Sequence, residues 1–197
     1  MPRSTPRLSR DDWARAGLEA LASGGIAAVK VEVIAKRLGT TKGSFYWHFD
    51  GRRDLVEAAL ERWEGDHTEA VIRAMDEEPD PRARLERLFR TIVEATYSDR
   101  VELALLTAAD DPDVRGAVER VSRRRVSYMA RMLRELGMSG DEADQRSLLV
   151  YAAYLGHLQL AASTTLLPEP GSSRWTAHVD HLVTALLQPV MDAPARG

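Results

Sequence analysis

The side chains best equipped for chemistry in this 197-residue chain crowd between positions 40 and 52: Thr40, Thr41, Lys42, Ser44, Tyr46, Trp47, His48 and Arg52, with Gly43 among them. Fixed positive charge from Lys42 and Arg52, flanked by hydroxyl and imidazole donors, suits the holding of a polyanion rather than the breaking of a bond. Four of the chain's 12 aromatic residues, Phe45, Tyr46, Trp47 and Phe49, fall in the same short run. A helix of about eight residues cannot bury three large aromatics and His48 on one face, so part of this set must look outward.

Such side chains need a scaffold that projects them, and the flanking sequence supplies one. Val31, Ile34, Ala35 and Leu38 recur at helical spacing and end at Gly39, after which residues 40–49 form a second, very short helix candidate. Small Ala35 lets the two helices approach, Gly39 permits a turn with positive φ, and Thr41 is placed to cap the second helix. This pattern matches a helix-turn-helix, whose second helix enters the major groove with its N-terminal side chains against base edges. Those side chains are Thr40, Lys42, Gly43 and Ser44, with Tyr46, Trp47 and His48 next along.

The remaining chain reads as helix after helix with no convincing strand alternation, so the expected fold class is all-α with about nine helices. Ser9 and Asp12 have capping-box spacing for a first helix that carries Trp13, Gly17, Ala20 and Leu21 on one face and stops at Gly24-Gly25. Asp50 is placed to cap a fourth helix marked by Leu55, Ala59, Leu60 and Trp63, running towards Met75 before the break DEEPDP at 76–81. Asp80 and Pro81 open a strongly amphipathic helix through Leu85, Leu88, Phe89, Ile92 and Val93. VELALLTAA at 101–109 reads as a short buried helix, and Asp111-Pro112 starts a long one that Gly137 ends. Ser139 and Glu142 cap the apolar stretch 148–162, and a last helix carrying Trp175, Val179, Leu182, Val183 and Leu186 is closed by Pro189.

IAKRLGTTKGSFYWHFDGRRDL resembles the DNA-binding signature of the tetracycline-repressor (TetR) family of bacterial transcription regulators, through Ile34, Ala35, Gly39, Gly43, Phe45, Tyr46, His48, Phe49 and Leu55. Arg52 stands where that family usually has Lys, Thr40 where Val is common, and Lys30-Val31 replace the usual Thr, so that Lys30 substitutes as a point charge. The resemblance implies phosphate contacts from Tyr46, His48 and Arg52, base contacts from Lys42, Ser44, Thr40 and Trp47, and packing roles for Phe45 and Phe49. It also implies a helix-turn-helix domain at 1–55, with the fourth helix as a link at about 50–75, and a ligand-binding and dimerisation domain at 56–197. The expected function is a cytoplasmic, homodimeric regulator, a repressor released from a palindromic double-stranded DNA operator by a small organic effector. An activator, or a ligand-independent regulator of the same fold, is the alternative.

For the pocket, the expected lining between helices four and eight is Trp63, His67, Phe89, Tyr97, Leu106, Tyr128, Met132, Tyr151, Tyr154 and His157. For the dimer seam it is Ala152, Ala153, Gly156, Trp175, Val179, Leu182 and Leu186, on two final helices rich in apolar surface.

Composition narrows the alternatives. There is no cysteine, hence no disulfide framework, thiolate zinc site or cysteine nucleophile. No Gly-rich phosphate loop, nucleophile elbow or paired metal-ligand motif marks an enzyme, and no metal or cofactor is expected; His178 and His181, three apart, lack a third ligand nearby in sequence. The 148–162 run is shorter than the roughly 20 residues a membrane span needs. Residues 1–63 carry 11 Lys+Arg against 8 Asp+Glu, whereas the whole chain carries 27 against 30, so a modestly basic head sits on an acidic body.

Overall fold

The structure is a computed structural model that describes residues 8–95 and 100–191, and the side chains of residues 8–93 and 100–185. Among the described residues every regular element is helical: α1 (Arg10–Ala28), α2 (Val31–Arg37), α3 (Lys42–Phe45), α4 (Arg52–Glu64), α5 (Ala70–Asp76), α6 (Pro81–Ala95), α7 (Arg100–Thr107), α8 (Pro112–Glu135), α9 (Gly140–Ser163) and α10 (Ser173–Met191). A π-helical turn, Gly65–Glu69, joins α4 to α5, so the fourth helix does run on to Met75 as its apolar pattern predicts. Helix α10 continues through Pro189 to Met191 instead of ending there.

Two compact units emerge, Met1–His67 with Arg100–Glu119, and Thr68–Asp99 with Arg120–Gly197. The sequence division at residue 55 therefore differs from the structural one. The reason is that α1 packs on both α4 and α7, which draws the whole of α4 and all of α7 into the first unit.

In the first unit, α1 starts at a complete capping box: the Ser9 hydroxyl accepts from the Asp12 N–H at 3.2 Å, and the Asp12 carboxylate accepts from the Ser9 N–H at 2.9 Å. Helical geometry breaks at Gly24-Gly25, where Gly25 has φ +63°, a region costly for any residue with a Cβ. Gly17 lets α1 meet α4 closely, since a Cβ there would stand 3.2 Å from Leu55 Cδ1 and 3.4 Å from Ala59 Cβ. Helix α4 begins one residue later than the sequence suggests. Gly51 is its N-cap, Asp50 makes no cap with its side chain, and Asp54 instead accepts from the Asp50 N–H at 3.2 Å.

In the second unit, Ile72 and Met75 of α5, Leu85 and Phe89 of α6, Tyr128, Met132 and Leu133 of α8, and Ala143 and Val150 of α9 form one buried cluster. Asp80 caps α6 by accepting from the Ala83 N–H at 3.1 Å. The Tyr128 hydroxyl donates to Asp76 at 2.9 Å, and burial, with that carboxylate beside it, pushes the phenol up to about 12.

Replacing Gly17 by valine overfills the α1–α4 contact. We expect a loss of about 1–3 kcal/mol in urea unfolding, whereas Gly156→Ala, where a Cβ meets nothing within 4 Å, costs nothing measurable in the isolated chain.

Candidate nucleic-acid interface

Helix α3 is four residues long, and its position is set by one side chain. Phe45 is fully buried, edge-on to Trp13 at 5.3 Å and stacked on Phe49 at 5.3 Å. The turn before α3 has Gly39 at φ +66°, and the Thr41 hydroxyl accepts from the Ser44 N–H at 3.4 Å, the cap expected from sequence. With Phe45 turned inward, Tyr46 and Trp47 turn outward at 57% and 77% exposure. Thr41, Lys42 and Gly43 are exposed beside them, while Thr40, Ser44 and His48 are half-buried. The structure thus turns Thr41, Lys42, Gly43, Tyr46 and Trp47 to solvent on one short segment, with Thr40, Ser44 and His48 half-buried within it.

The charges around it are already partly engaged. Lys42 donates to Glu32 of α2 at 2.5 Å, and the pair holds the glutamate below the usual carboxylate range and the ammonium above its own. The Arg52 guanidinium donates to the Val29 carbonyl at 2.7 Å and to the Ile26 carbonyl. Arg52 thereby joins the start of α4 to the end of α1, since a planar fork satisfies two carbonyls at once, and its side chain stays exposed at the surface where the phosphate contact is expected. Lys30, Glu32, Lys42, Tyr46 and Arg52 line one open depression of about 460 Å³. Sequence reading missed Glu32 in this set, and also Arg37, which donates to the Ala16 carbonyl at 2.6 Å, and Arg10, whose guanidinium lies 4.8 Å from the Phe49 ring centre. All three pair across sequence separations that no local period reveals.

The expected pocket set divides. Trp63, His67 and Leu106 fall in the first unit, with Trp63 fully buried, and Tyr97 lies outside the described residues. In the second unit Phe89, Tyr154 and His157 do converge, with Val150 and Leu182, on a cavity of about 20 Å³. Tyr128 and Met132 are spent in the core, and Tyr151 hydrogen-bonds Ser122 at 2.9 Å. His157 donates from Nδ1 to the Ala153 carbonyl at 2.7 Å, and its Nε2 faces His178 Nε2 at 3.3 Å. Among the described residues no three His, Cys, Asp or Glu groups converge as a metal site.

The expected dimer seam needs correction as well. Trp175 and Val179 are buried against Val93, and Leu182 packs on the same cluster, so the apolar stripe of α10 faces its own unit. The Leu186 side chain lies outside the described residues. On α9, by contrast, Ala152 and Gly156 are exposed, Ala153 is half-buried, and Leu148 and Leu149 stand out at 56% and 54% exposure.

Residues 15–59 match the family model described as bacterial regulatory proteins, tetR family. The chain is 36% identical over 63 residues to the uncharacterized HTH-type transcriptional regulator TtgW of Pseudomonas putida, a match covering 30% of this chain and 47% of that protein. It is 33% identical over 72 residues to the tetracycline repressor protein class A from transposon 1721 of Escherichia coli, covering 36% and 33%. These alignments thus span between a third and a half of the curated relatives' lengths. A crystal structure of a transcriptional regulator from Rhodococcus sp. Rha1 superposes with TM-score 0.72 at 22% identity, covering 95% of this chain and 100% of that one, which extends the shared fold beyond the N-terminal domain. Among the described residues no helix is long and apolar enough to cross a membrane.

His178 gives a check by titration. Burial first, then the positive charge that His157 on α9 and His181 on α10 would carry, holds its folded pKa below the ordinary value. A depressed folded pKa contributes stability that is complete above the unfolded value of about 6.5 and lost as pH falls towards the folded one. Urea unfolding between about pH 7 and pH 5 should therefore show stability falling with pH, with a shallower fall in His178→Gln.

Proposed function

We propose that this chain, whose N-terminal domain is of the tetR type, is a sequence-specific DNA-binding transcriptional regulator that works as a homodimer on a palindromic double-stranded operator. The observation that carries the reading is Phe45: buried between Trp13 and Phe49, it turns Tyr46 and Trp47, just past the end of α3, outward on the same segment as the exposed Lys42 at that helix's start. Lys42, Thr40, Ser44 and Trp47 approach base edges. Tyr46, His48, Lys30, Arg52 and the backbone at Thr41 and Gly43 serve phosphates, with Arg52 oriented by its bonds to the Val29 and Ile26 carbonyls.

In this reading the first unit binds DNA and the second dimerises and takes a small organic effector, whose arrival releases the operator by population shift, in the cytoplasm where the DNA is. Repression is the expected sign, with activation or ligand-independent binding as the alternative. The exposed α9 face of Leu148, Leu149, Ala152 and Gly156 supports a two-fold seam, since contiguous apolar side chains of this size favour a covered surface. The Phe89–Tyr154–His157 cavity supports the effector's place.

Fluorescence anisotropy with duplexes from the region upstream of the chain's own gene, against an unrelated duplex, tests the DNA reading. Saturable binding of two chains per site should weaken with salt, and Lys42→Ala or Tyr46→Ala should each weaken it about tenfold. Equal, weak binding of every duplex rejects the reading. Sedimentation tests the seam: Leu148→Glu with Leu149→Glu should yield monomers at micromolar protein, and a wild-type monomer at that concentration rejects it.

A further inference from the structure

An acidic side chain on a DNA-facing surface calls for an explanation, because every phosphate repels it. Glu32 is such a residue. It is exposed at the start of α2 and lines the same depression as Lys30, Lys42, Tyr46 and Arg52, the one carboxylate in that lining. Its carboxylate is held by Lys42 of the reading helix at 2.5 Å, ten residues away in sequence. Both partners are more than half exposed, so a pair of this kind adds little to folding, and its presence is not accounted for by stability.

Resting on the DNA-binding reading above, we propose that Glu32 and Lys42 act as one unit that reads a G·C base pair in the major groove, which makes Glu32 a specificity-determining residue. The chemistry of the groove edge selects that pair. Lysine donates to guanine O6 and N7, and a carboxylate accepts from the cytosine N4 amine. Guanine O6 and cytosine N4 belong to the same base pair and lie side by side on its major-groove edge, an acceptor next to a donor. An ammonium and a carboxylate already in contact present the complementary donor and acceptor at the same close spacing. Entering the groove, the two groups exchange each other for the two bases, and neither is left unpaired.

On any other base pair the exchange is less complete. An A·T pair also sets an acceptor, thymine O4, beside a donor, adenine N6, but there the ammonium loses the second acceptor that guanine N7 places next to O6 and meets the thymine methyl group instead. Against phosphate alone Glu32 is repelled outright. The same residue therefore lowers affinity for DNA of arbitrary sequence and restores it where guanine and cytosine stand in the right order, which is how a repulsive group produces specificity.

The test is selection of bound fragments from a random-sequence duplex library by the full chain, for wild type, Glu32→Gln and Glu32→Ala, followed by anisotropy on the selected duplex and on an unrelated one over a range of salt. Circular dichroism confirms the fold of each variant. Wild type should select one fixed G·C pair per half-site that both variants lose, with Glu32→Gln either indifferent there or turned towards adenine. Both variants should bind the unrelated duplex about three- to tenfold more tightly, with a salt slope steeper by about one phosphate equivalent. Retention of every fixed position in both variants, or an equal gain on both duplexes, overturns the proposal and leaves Glu32 as a counter-charge only. Failure of the wild type to select any sequence overturns the DNA reading itself, and the Glu32 assignment with it.

Discussion

A helix of four residues cannot hold itself together, because forming its first turn fixes several residues for a single hydrogen bond. Everything α3 presents therefore depends on the burial of Phe45. The ring is fully enclosed, with Trp13 at its edge and Phe49 stacked on it, and burial of this kind contributes about 2–3 kcal/mol. The dependence continues backwards along the chain. Trp13 is where it is because α1 lies close on α4, and α1 lies close because residue 17 has no side chain to hold it off Leu55 and Ala59. A glycine in α1, well upstream of α3, thus sets the direction of Tyr46 and Trp47.

Charge at this end of the molecule is divided by task. Two arginines are spent on backbone carbonyls, Arg37 on Ala16 and Arg52 on Ile26 and Val29, where a planar guanidinium satisfies acceptors that an ammonium would meet less completely. The lysines Lys30 and Lys42 keep their charge on flexible stems at the surface. A basic balance counted over residues 1–63 merges these two uses. A neutral carbonyl fixes a guanidinium's position without cancelling its charge; cancellation comes from carboxylates, Glu19 at 3.1 Å from Arg37 and Glu32 at 2.5 Å from Lys42.

What could be read from sequence was what sequence encodes locally. The capping box at Ser9, the turn glycine at position 39, the cap at Thr41 and the amphipathic stripe of α6 each lie within a few residues of what they act on. The helices followed from them, as did the outward turn of Tyr46 and Trp47. Contacts between distant residues were not legible: Lys42 with Glu32, Arg52 with the end of α1, His157 with His178. Nor does periodicity say what an apolar stripe will meet. The stripe of α10 through Trp175 and Val179 looked available for a second chain and is consumed by Val93 of its own unit, while the exposed leucines of α9 lie next to each other rather than at helical spacing.

The closed state of the second unit constrains any mechanism that uses it. A cavity of about 20 Å³ has room for roughly one water, whereas sites for small organic molecules run from about 300 Å³ upward. An effector bound there, as proposed, must therefore select or create a form in which α6, α9 and α10 have parted around Phe89, Tyr154, His157 and Leu182. Its apparent affinity is lowered by the fraction of molecules in that form. Polar ties cross this opening, His157 of α9 with His178 of α10 and Arg90 of α6 with Asp180 of α10 at 3.1 Å, and the histidine contact is the one at the cavity's lining. A ligand that separates the helices must break this contact, and one that offers the two imidazoles a replacement hydrogen-bond partner offsets that cost.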